Sequence, residues 1–381
     1  MKQWIVGLFL AAAMIAGIGH SPARGQDIVI GEYGSMTGSE ATFGISTDNG
    51  VKLAVKQRNA AGGINGRQIH LIAYDDQGKQ PEVITAVTRL IQQDHAVAII
   101  GEVASSRSLA GGHVCQQLGV PMISPSSTNA KVTAIGDMIS RVCFIDSFQG
   151  WVGAKFAKDK LNFTKAAILY DRSQAYSSGL RSDFKTAFTK LGGQVVAEAA
   201  YSGGDSDYSA QLTTLRNGDP QFIYLPGYYT EVVNIARQAR KLGITAPFIG
   251  GDGWVSDDLK NAGDALDNCY FSDHYSKDDG RPQVKKFLDD YKAAFGDSPD
   301  SMAALGYDSA NFLFDAIVRA KSLDGKDLAA AINSTKDFDG VTGRISLDAN
   351  RNAVKGAVMQ KMGGGKYSFF SRVEPGDESG H

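Results

Sequence analysis

Cysteine is nearly absent. Cys115, Cys143 and Cys269 are the only three in 381 residues. An odd number cannot pair completely within one chain, which excludes a disulfide framework as the source of stability. Cys115 shares a helical face with Ala110, Val114 and Leu118, and Cys143 lies inside the apolar run Ile139–Ile145. Both read as small buried hydrophobes. Histidine is also sparse: His20, His70, His95, His113, His274 and His381 are scattered along the chain. Neither His-Glu-x-x-His nor Cys-x-x-Cys occurs, so no metal site is expected. A phosphate-cradling Walker loop, a dinucleotide glycine fingerprint and a Gly-x-Ser-x-Gly elbow are all missing. A hydrolytic nucleophile needs a base beside it, and no spacing supplies one. The sequence therefore predicts neither catalysis nor a cofactor. Lys and Arg total 39 against 41 Asp and Glu, with no basic block, which excludes nucleic acid as a partner. Beyond residue 25 no apolar run reaches the length of a membrane span.

The first 25 residues differ from the rest. Lys2 precedes an apolar and small-residue run from Trp4 to Gly19, followed by Ser21, Pro22, Ala23, Arg24 and Gly25. This pattern predicts a secretory signal peptide (residues 1–25), cleaved after Gly25 or Ala23. A single membrane anchor is the alternative, but the run is short for a span and the exit is built of small residues. No cysteine precedes Cys115, so no lipid attachment is expected, and the exported chain is expected to be soluble in the periplasm.

Hydrophobic residues make up 43% of the chain, enough for ordinary globular cores. Short apolar runs alternate with amphipathic stretches. Predicted strands are Ile28–Tyr33, Gln68–Tyr74, Ala96–Gly101 and Val120–Ser124, then Ala166–Tyr170, Gln194–Ala199, Gln221–Leu225 and Pro247–Gly250. Helical faces follow: Val83, Ile84, Val87, Leu90 and Ile91; Val232, Val233, Ile235, Ala236 and Ala239; Val284, Phe287, Leu288, Tyr291 and Phe295. Near-continuous apolar strands alternating with helices imply parallel sheets covered on both faces. Two rounds of about four such units, with a seam near Ile145–Gly150, predict an α/β protein of two similar lobes. Ligands of such sheets bind beyond the carboxyl ends of the strands, which here are rich in Ser, Thr, Gly, Tyr and Asp.

Several segments in order carry a resemblance. They are Gly34-Ser35-Met36-Thr37-Gly38, Asn59-Ala60-Ala61-Gly62-Gly63-Ile64-Asn65-Gly66-Arg67, Tyr74-Asp75-Asp76, Ile123-Ser124-Pro125 with Thr128-Asn129, Asp171 with Tyr176, and Gly227-Tyr228-Tyr229. Together they resemble the branched-chain amino acid (Leu/Ile/Val) binding protein family, the type I periplasmic solute-binding proteins of ABC transporters, from about Asp27 to about Gly364. Some of these marks also have local explanations. Gly62-Gly63 ends a helix running from near Asp48, Asn65-Gly66 is a turn, and Asp75-Asp76 caps or turns at a strand end.

The resemblance implies two Rossmann-like lobes joined by three hinge segments near Ile145–Asp146, His274–Tyr275 and Ser346–Leu347. Lobe 1 is then 27–145 plus 275–345, and lobe 2 is 146–274 plus 346–381. It implies a monomer that binds an amino acid, branched-chain or otherwise hydrophobic, and delivers it to the permease subunits of an importer. The matching family positions assign the ligand α-carboxylate to Ser105 and Thr128, and the ammonium to the Ser126 carbonyl and Asp252. Tyr228 contacts the ligand from lobe 2, while Phe43 and Tyr176 close over it. Each position has a plainer reading: a helix N-cap for Ser105, a polar loop for Ser126 and Thr128, a turn for Asp252, core for Tyr228 and Phe43. Trp254, Trp151, Glu102 and Gln149 are further candidates for the cleft. Gly78 and Ala104 stand where some members carry a paired cysteine, so that disulfide is missing here. An amide, a urea or an aromatic acid as ligand, or a ligand-sensing receptor, are the competing expectations.

Overall fold

The computed structural model describes residues 26–376, so the signal-peptide expectation for residues 1–25 lies outside the described residues. The first lobe is built on β1 (Ile28–Gly34), β2 (Ile69–Asp75), β3 (Ala98–Ile100), β4 (Met122–Ser124) and β5 (Ile139–Arg141). Its sheet has the order β2-β1-β3-β4-β5 and is parallel throughout, with Ile28 opposite Ile69 and Ile30 opposite Ala98. Helices α1 (Ala41–Ala60), α2 (Gln80–Gln92) and α3 (Ser105–Leu118) connect these strands. Each crossover carries the chain back over a sheet face, as parallel pairing requires.

The chain then enters the second lobe through α4 (Asp146–Asp159), β6 (Lys165–Asp171), α5 (Ala175–Lys190), β7 (Gln194–Tyr201), α6 (Ser209–Asn217), β8 (Phe222–Leu225), α7 (Tyr229–Lys241), β9 (Phe248–Gly250) and β10 (Tyr270–Asp273). It returns to the first lobe as α8 (Pro282–Phe295), α9 (Ser301–Arg319) and α10 (Gly325–Asn333). A small antiparallel sheet follows, of β11 (Phe338–Gly340), β12 (Gly343–Leu347) and β13 (Ala353–Val354). Finally β14 (Ala357–Gly363) and β15 (Lys366–Val373) complete the second sheet, whose order is β15-β14-β10-β9-β8-β6-β7.

Each predicted strand is present, its ends lengthened, shortened or shifted by one or two residues. The run Ile139–Ile145 is strand only as far as Arg141, and the helix placed near Asp48 starts at Ala41. Of the predicted helical faces, Ile84 and Phe295 are 48% and 37% exposed, because each lies at the margin of its buried stripe. The hairpin β14–β15 is antiparallel, unlike the all-parallel expectation. Its two-residue turn is Gly364-Gly365, with φ of 59° and 71°. Paired positive φ values give the turn twist that antiparallel strands need, and glycine adopts them without strain.

The third crossing also sits later than the 345/346 division. Leu347 and Ala353 are buried in the core with Ile28, Ile30 and Phe312 of the first lobe. The pairing of β12 with β13 keeps this segment there, and the chain reaches the second sheet at Ala357. All three cysteines are buried free thiols. Burial raises each of them, Cys143 to about 12 and Cys269 to about 11. Among the described residues no helix is long and apolar enough to cross a membrane.

Helix α9 lies along α1, and glycines set how closely they approach. A Cβ on Gly50 would collide with the Ala303 carbonyl oxygen, and one on Gly306 with that of Thr47. Gly50→Ala is therefore expected to cost ~1–3 kcal/mol of overpacking, even though alanine has the better helix propensity. Denaturant melts check this, and an unchanged midpoint would show that the helix pair can separate freely.

Candidate ligand site between the lobes

The seven predicted residues come from loops and helix starts at the carboxyl ends of both sheets. Phe43 is in the first turn of α1, after β1. Ser105 starts α3, after β3. Ser126 and Thr128 follow β4, Tyr176 follows β6, Tyr228 follows β8, and Asp252 follows β9. Five of them line one narrow cavity, closed down to about 10 Å³: Phe43, Ser126, Tyr176, Tyr228 and Asp252, joined by Val103, Gly253 and Met302. Ser105 and Thr128 are buried and are not part of this lining. The Ser105 hydroxyl accepts from the Asn129 amide at 3.2 Å, which ties the start of α3 to the loop carrying Thr128. The N-cap of α3 is Ala104, so Ser105 does not fill that role. Thr128 is wholly buried, and its hydroxyl makes no hydrogen bond of good geometry.

Asp252 is the only ionisable carboxylate in the lining. Gln149 Nε2 donates to its Oδ1 at 2.7 Å, His274 Nε2 lies 2.9 Å from its Oδ2, and the Ser126 hydroxyl is at 3.5 Å. Burial pushes the His274 pKa below its ordinary value, and the pull of Asp252 only partly offsets this. The imidazole is therefore a neutral donor near pH 7. Its ring stacks on Phe144 at 3.7 Å, which fixes its direction. The carboxylate is thus held by neutral dipoles, and among the described residues no Lys or Arg forms an ion pair with it. A buried anion without a countercharge is costly, and an incoming cation would relieve that cost.

Aromatic rings wall the cavity. Tyr176 and Tyr228 stack at 5.3 Å, and Phe43 meets Tyr228 edge-on at 5.7 Å. The Tyr176 hydroxyl accepts from the Gly253 amide at 3.1 Å. The Tyr228 hydroxyl is buried with no partner, a polar group that native structures seldom leave unpaired.

The lobes meet around the cavity. The Tyr229 hydroxyl donates to the Ser39 carbonyl at 2.9 Å, Asn129 Nδ2 donates to the Ala175 carbonyl at 2.8 Å, and the Ala175 amide donates to the Ser106 hydroxyl at 2.9 Å. These bonds join first-lobe to second-lobe loops, so the structure is that of a closed cleft.

Beneath α3 lies a charged cluster. Arg107 pairs with Glu40 at 2.7 Å and Glu102 at 3.1 Å, and the Ser35 hydroxyl donates to Glu102 at 2.8 Å or Asp76 at 2.9 Å. Glu102 therefore supports the cleft wall and does not line it. Trp254 is likewise core, its indole donating to the Leu225 carbonyl at 3.0 Å. Trp151 stacks on Phe148 at 6.1 Å, away from the lining. Gln149 acts through Asp252. His274, Val103 and Met302 were not predicted. The only signal for His274 was its place at the second crossing, since its contact with Asp252 spans 22 residues. Asp75 clamps the β1–α1 loop by accepting from the Met36 and Thr37 amides at 2.9 and 3.2 Å, the turn role expected of it.

Burial, followed by repulsion from Glu102, pushes Asp76 up to about 7, against ~3.9 in an unfolded chain. The folded state then holds the proton more tightly. The associated stability is complete below the unfolded pKa and is lost as pH rises through about 7. Asp76→Asn cannot ionise, so it is expected to gain stability relative to the parent between about pH 5 and about pH 8. Melting curves at both values check this. A gap that does not change with pH would remove Asp76 titration from the account.

Comparison with known proteins agrees with this geometry. The periplasmic binding protein family model matches residues 27–366. The Leu/Ile/Val-binding protein homolog 2 of Brucella abortus is 31% identical over 374 residues, 96% of this chain and 99% of that one. Among solved structures, the leucine-binding protein LivK of Thermotoga maritima superposes with a TM-score of 0.88 at 37% identity, covering 92% of this chain and 99% of that chain. The branched-chain amino acid transporter substrate-binding protein LivJ of Streptococcus pneumoniae, in complex with isoleucine, gives 0.84 at 34% identity over 90% and 99%. With two α/β lobes closing on a shared cavity, this chain belongs to the periplasmic binding protein family.

Proposed function

We propose that the chain is the periplasmic solute-binding component of an ABC importer and that its ligand is a free amino acid with an apolar side chain. One observation carries this reading: the Asp252 carboxylate, buried in the interlobe cavity, has only neutral protein partners. An α-ammonium supplies the missing charge. In this reading Asp252 and the Ser126 carbonyl take the ammonium, while Ser105, Thr128 and the amides at the start of α3 take the carboxylate, as helix N-termini favour anions. Phe43, Tyr176 and Tyr228 enclose the ligand, and Val103 and Met302 leave an apolar end for its side chain. An amide, a urea or an aromatic acid brings no full positive charge to Asp252.

A zwitterion is expensive to dehydrate unless both of its charges are met. Hydrogen bonds to charged groups contribute roughly 1.5–3 kcal/mol each, so four or five can supply the ~8 kcal/mol of micromolar affinity after association costs. The contacts come from both lobes, so the ligand favours the closed arrangement by differential binding. The permease subunits would then recognise the closed form. Export by the N-terminal signal, a monomeric state, no nucleic-acid partner and no chemistry on the ligand complete the reading.

Calorimetry across the common amino acids, on protein unfolded and refolded to strip bound solute, is expected to give heat with aliphatic or aromatic ones. No heat from any of them would sink the proposal. Asp252→Ala is expected to weaken an amino acid roughly 10- to 150-fold, with little change for the corresponding carboxylic acid lacking the amine. Equal losses for both would take Asp252 out of its role.

A further inference from the structure

A second cavity, of about 350 Å³, opens between the lobes on the side of the second crossing. Its second-lobe wall includes Asp273 at the end of β10, Gln360 of β14, and Tyr367 and Phe369 of β15. Its first-lobe wall includes Tyr275 and the start of α9 at Asp300. It shares no lining residue with the cavity at Asp252. Its size falls within the ~300–1,000 Å³ of ordinary small-molecule sites.

The interior holds carboxylates and no cation. Asp273 accepts from Gln360 Nε2 at 3.1 Å and from the His274 amide at 2.6 Å, while Asp300 accepts from the Ala303 amide at 2.9 Å and the Ser46 hydroxyl at 2.8 Å. Among the described residues neither forms an ion pair. Burial accordingly pushes Asp273 up to about 7 and Asp300 to about 6. Lys260, Lys277 and Lys366 are exposed at the rim, where exposed Asp257, Asp278 and Asp297 balance them.

Three further polar atoms are stranded there. Gln360 Oε1, the Tyr275 hydroxyl oxygen and Ser301 Oγ have no hydrogen-bond partner among the described residues, in residues 3%, 5% and 1% exposed. All three can accept. An acceptor amide, an acceptor phenol and two carboxyls, with aromatic faces from Tyr367 and Phe369 beside them, call for a cation that donates several hydrogen bonds and carries some hydrocarbon.

We propose that this cavity is a second ligand site, selective for small organic ammonium ions that need no carboxylate. Because its walls come from different lobes, its occupant favours the closed arrangement. The proposal is independent of what the cavity at Asp252 binds.

The test uses n-butylammonium chloride and its neutral counterpart 1-butanol, titrated into the whole protein with calorimetry and tyrosine-ring NMR as readouts. Butylammonium is expected to bind and to shift the Tyr275 and Tyr367 signals, and butanol to do neither. Gln360→Ala and Asp273→Asn are expected to weaken the amine, as read from the Tyr275 and Tyr367 signals, about tenfold or more, and Asp252→Ala, which acts at the other cavity, to leave the titration of those two signals unchanged. Circular dichroism shows whether each variant folds. Tyr275→Phe, which keeps the buried ring, serves if Asp273→Asn does not fold, with the same loss expected. Absence of butylammonium binding, equal binding of butanol, or loss in Asp252→Ala with retention in the folded cavity variants would each overturn the proposal.

Discussion

A carboxylate sealed between two lobes, with dipoles around it but no opposing charge, is the constraint from which the arrangement of the site follows. Asp252 sits on the short 3₁₀ turn after β9, and each neighbour that steadies it comes from a different element. Gln149 projects from α4, His274 from the second crossing and Ser126 from the loop after β4. Keeping the imidazole neutral matters here. A protonated His274 would cancel the charge from within and leave the cavity indifferent to a guest cation. Burial, aided by repulsion from Lys355, favours the uncharged form.

Much of the fold was legible because parallel strands buried on both faces write themselves as short apolar runs, as in Ile28–Gly34 and Phe222–Leu225. The hairpin β14–β15 was not read, because β15 is an edge strand with few fully apolar positions and its Gly364-Gly365 turn sits among other glycines. The late third crossing was equally hidden. Whether Leu347 belongs to one lobe or the other depends on its pairing with Ala353 and on the core that receives it, and both are long-range facts.

The candidate site was legible to a different degree. The family resemblance singled out Phe43, Ser126, Tyr176, Tyr228 and Asp252, and they share a cavity because the topology puts all strand ends on one side of each sheet. It could not rank depth. Ser105, Thr128 and Glu102 are not in the lining, and Glu102 is held by Arg107. His274 carried no local mark, since nothing near Asn268–Tyr275 announces a partner 22 residues upstream.

The three buried thiols have a practical meaning. Cys115, Cys143 and Cys269 lie inside cores of different elements, shielded from solvent and held protonated by burial. Thiolate, not thiol, is the reactive species. The native chain therefore offers almost no background to maleimide dyes. A single cysteine placed on each lobe's surface could report distance changes across the cleft by fluorescence, without first removing the natural ones.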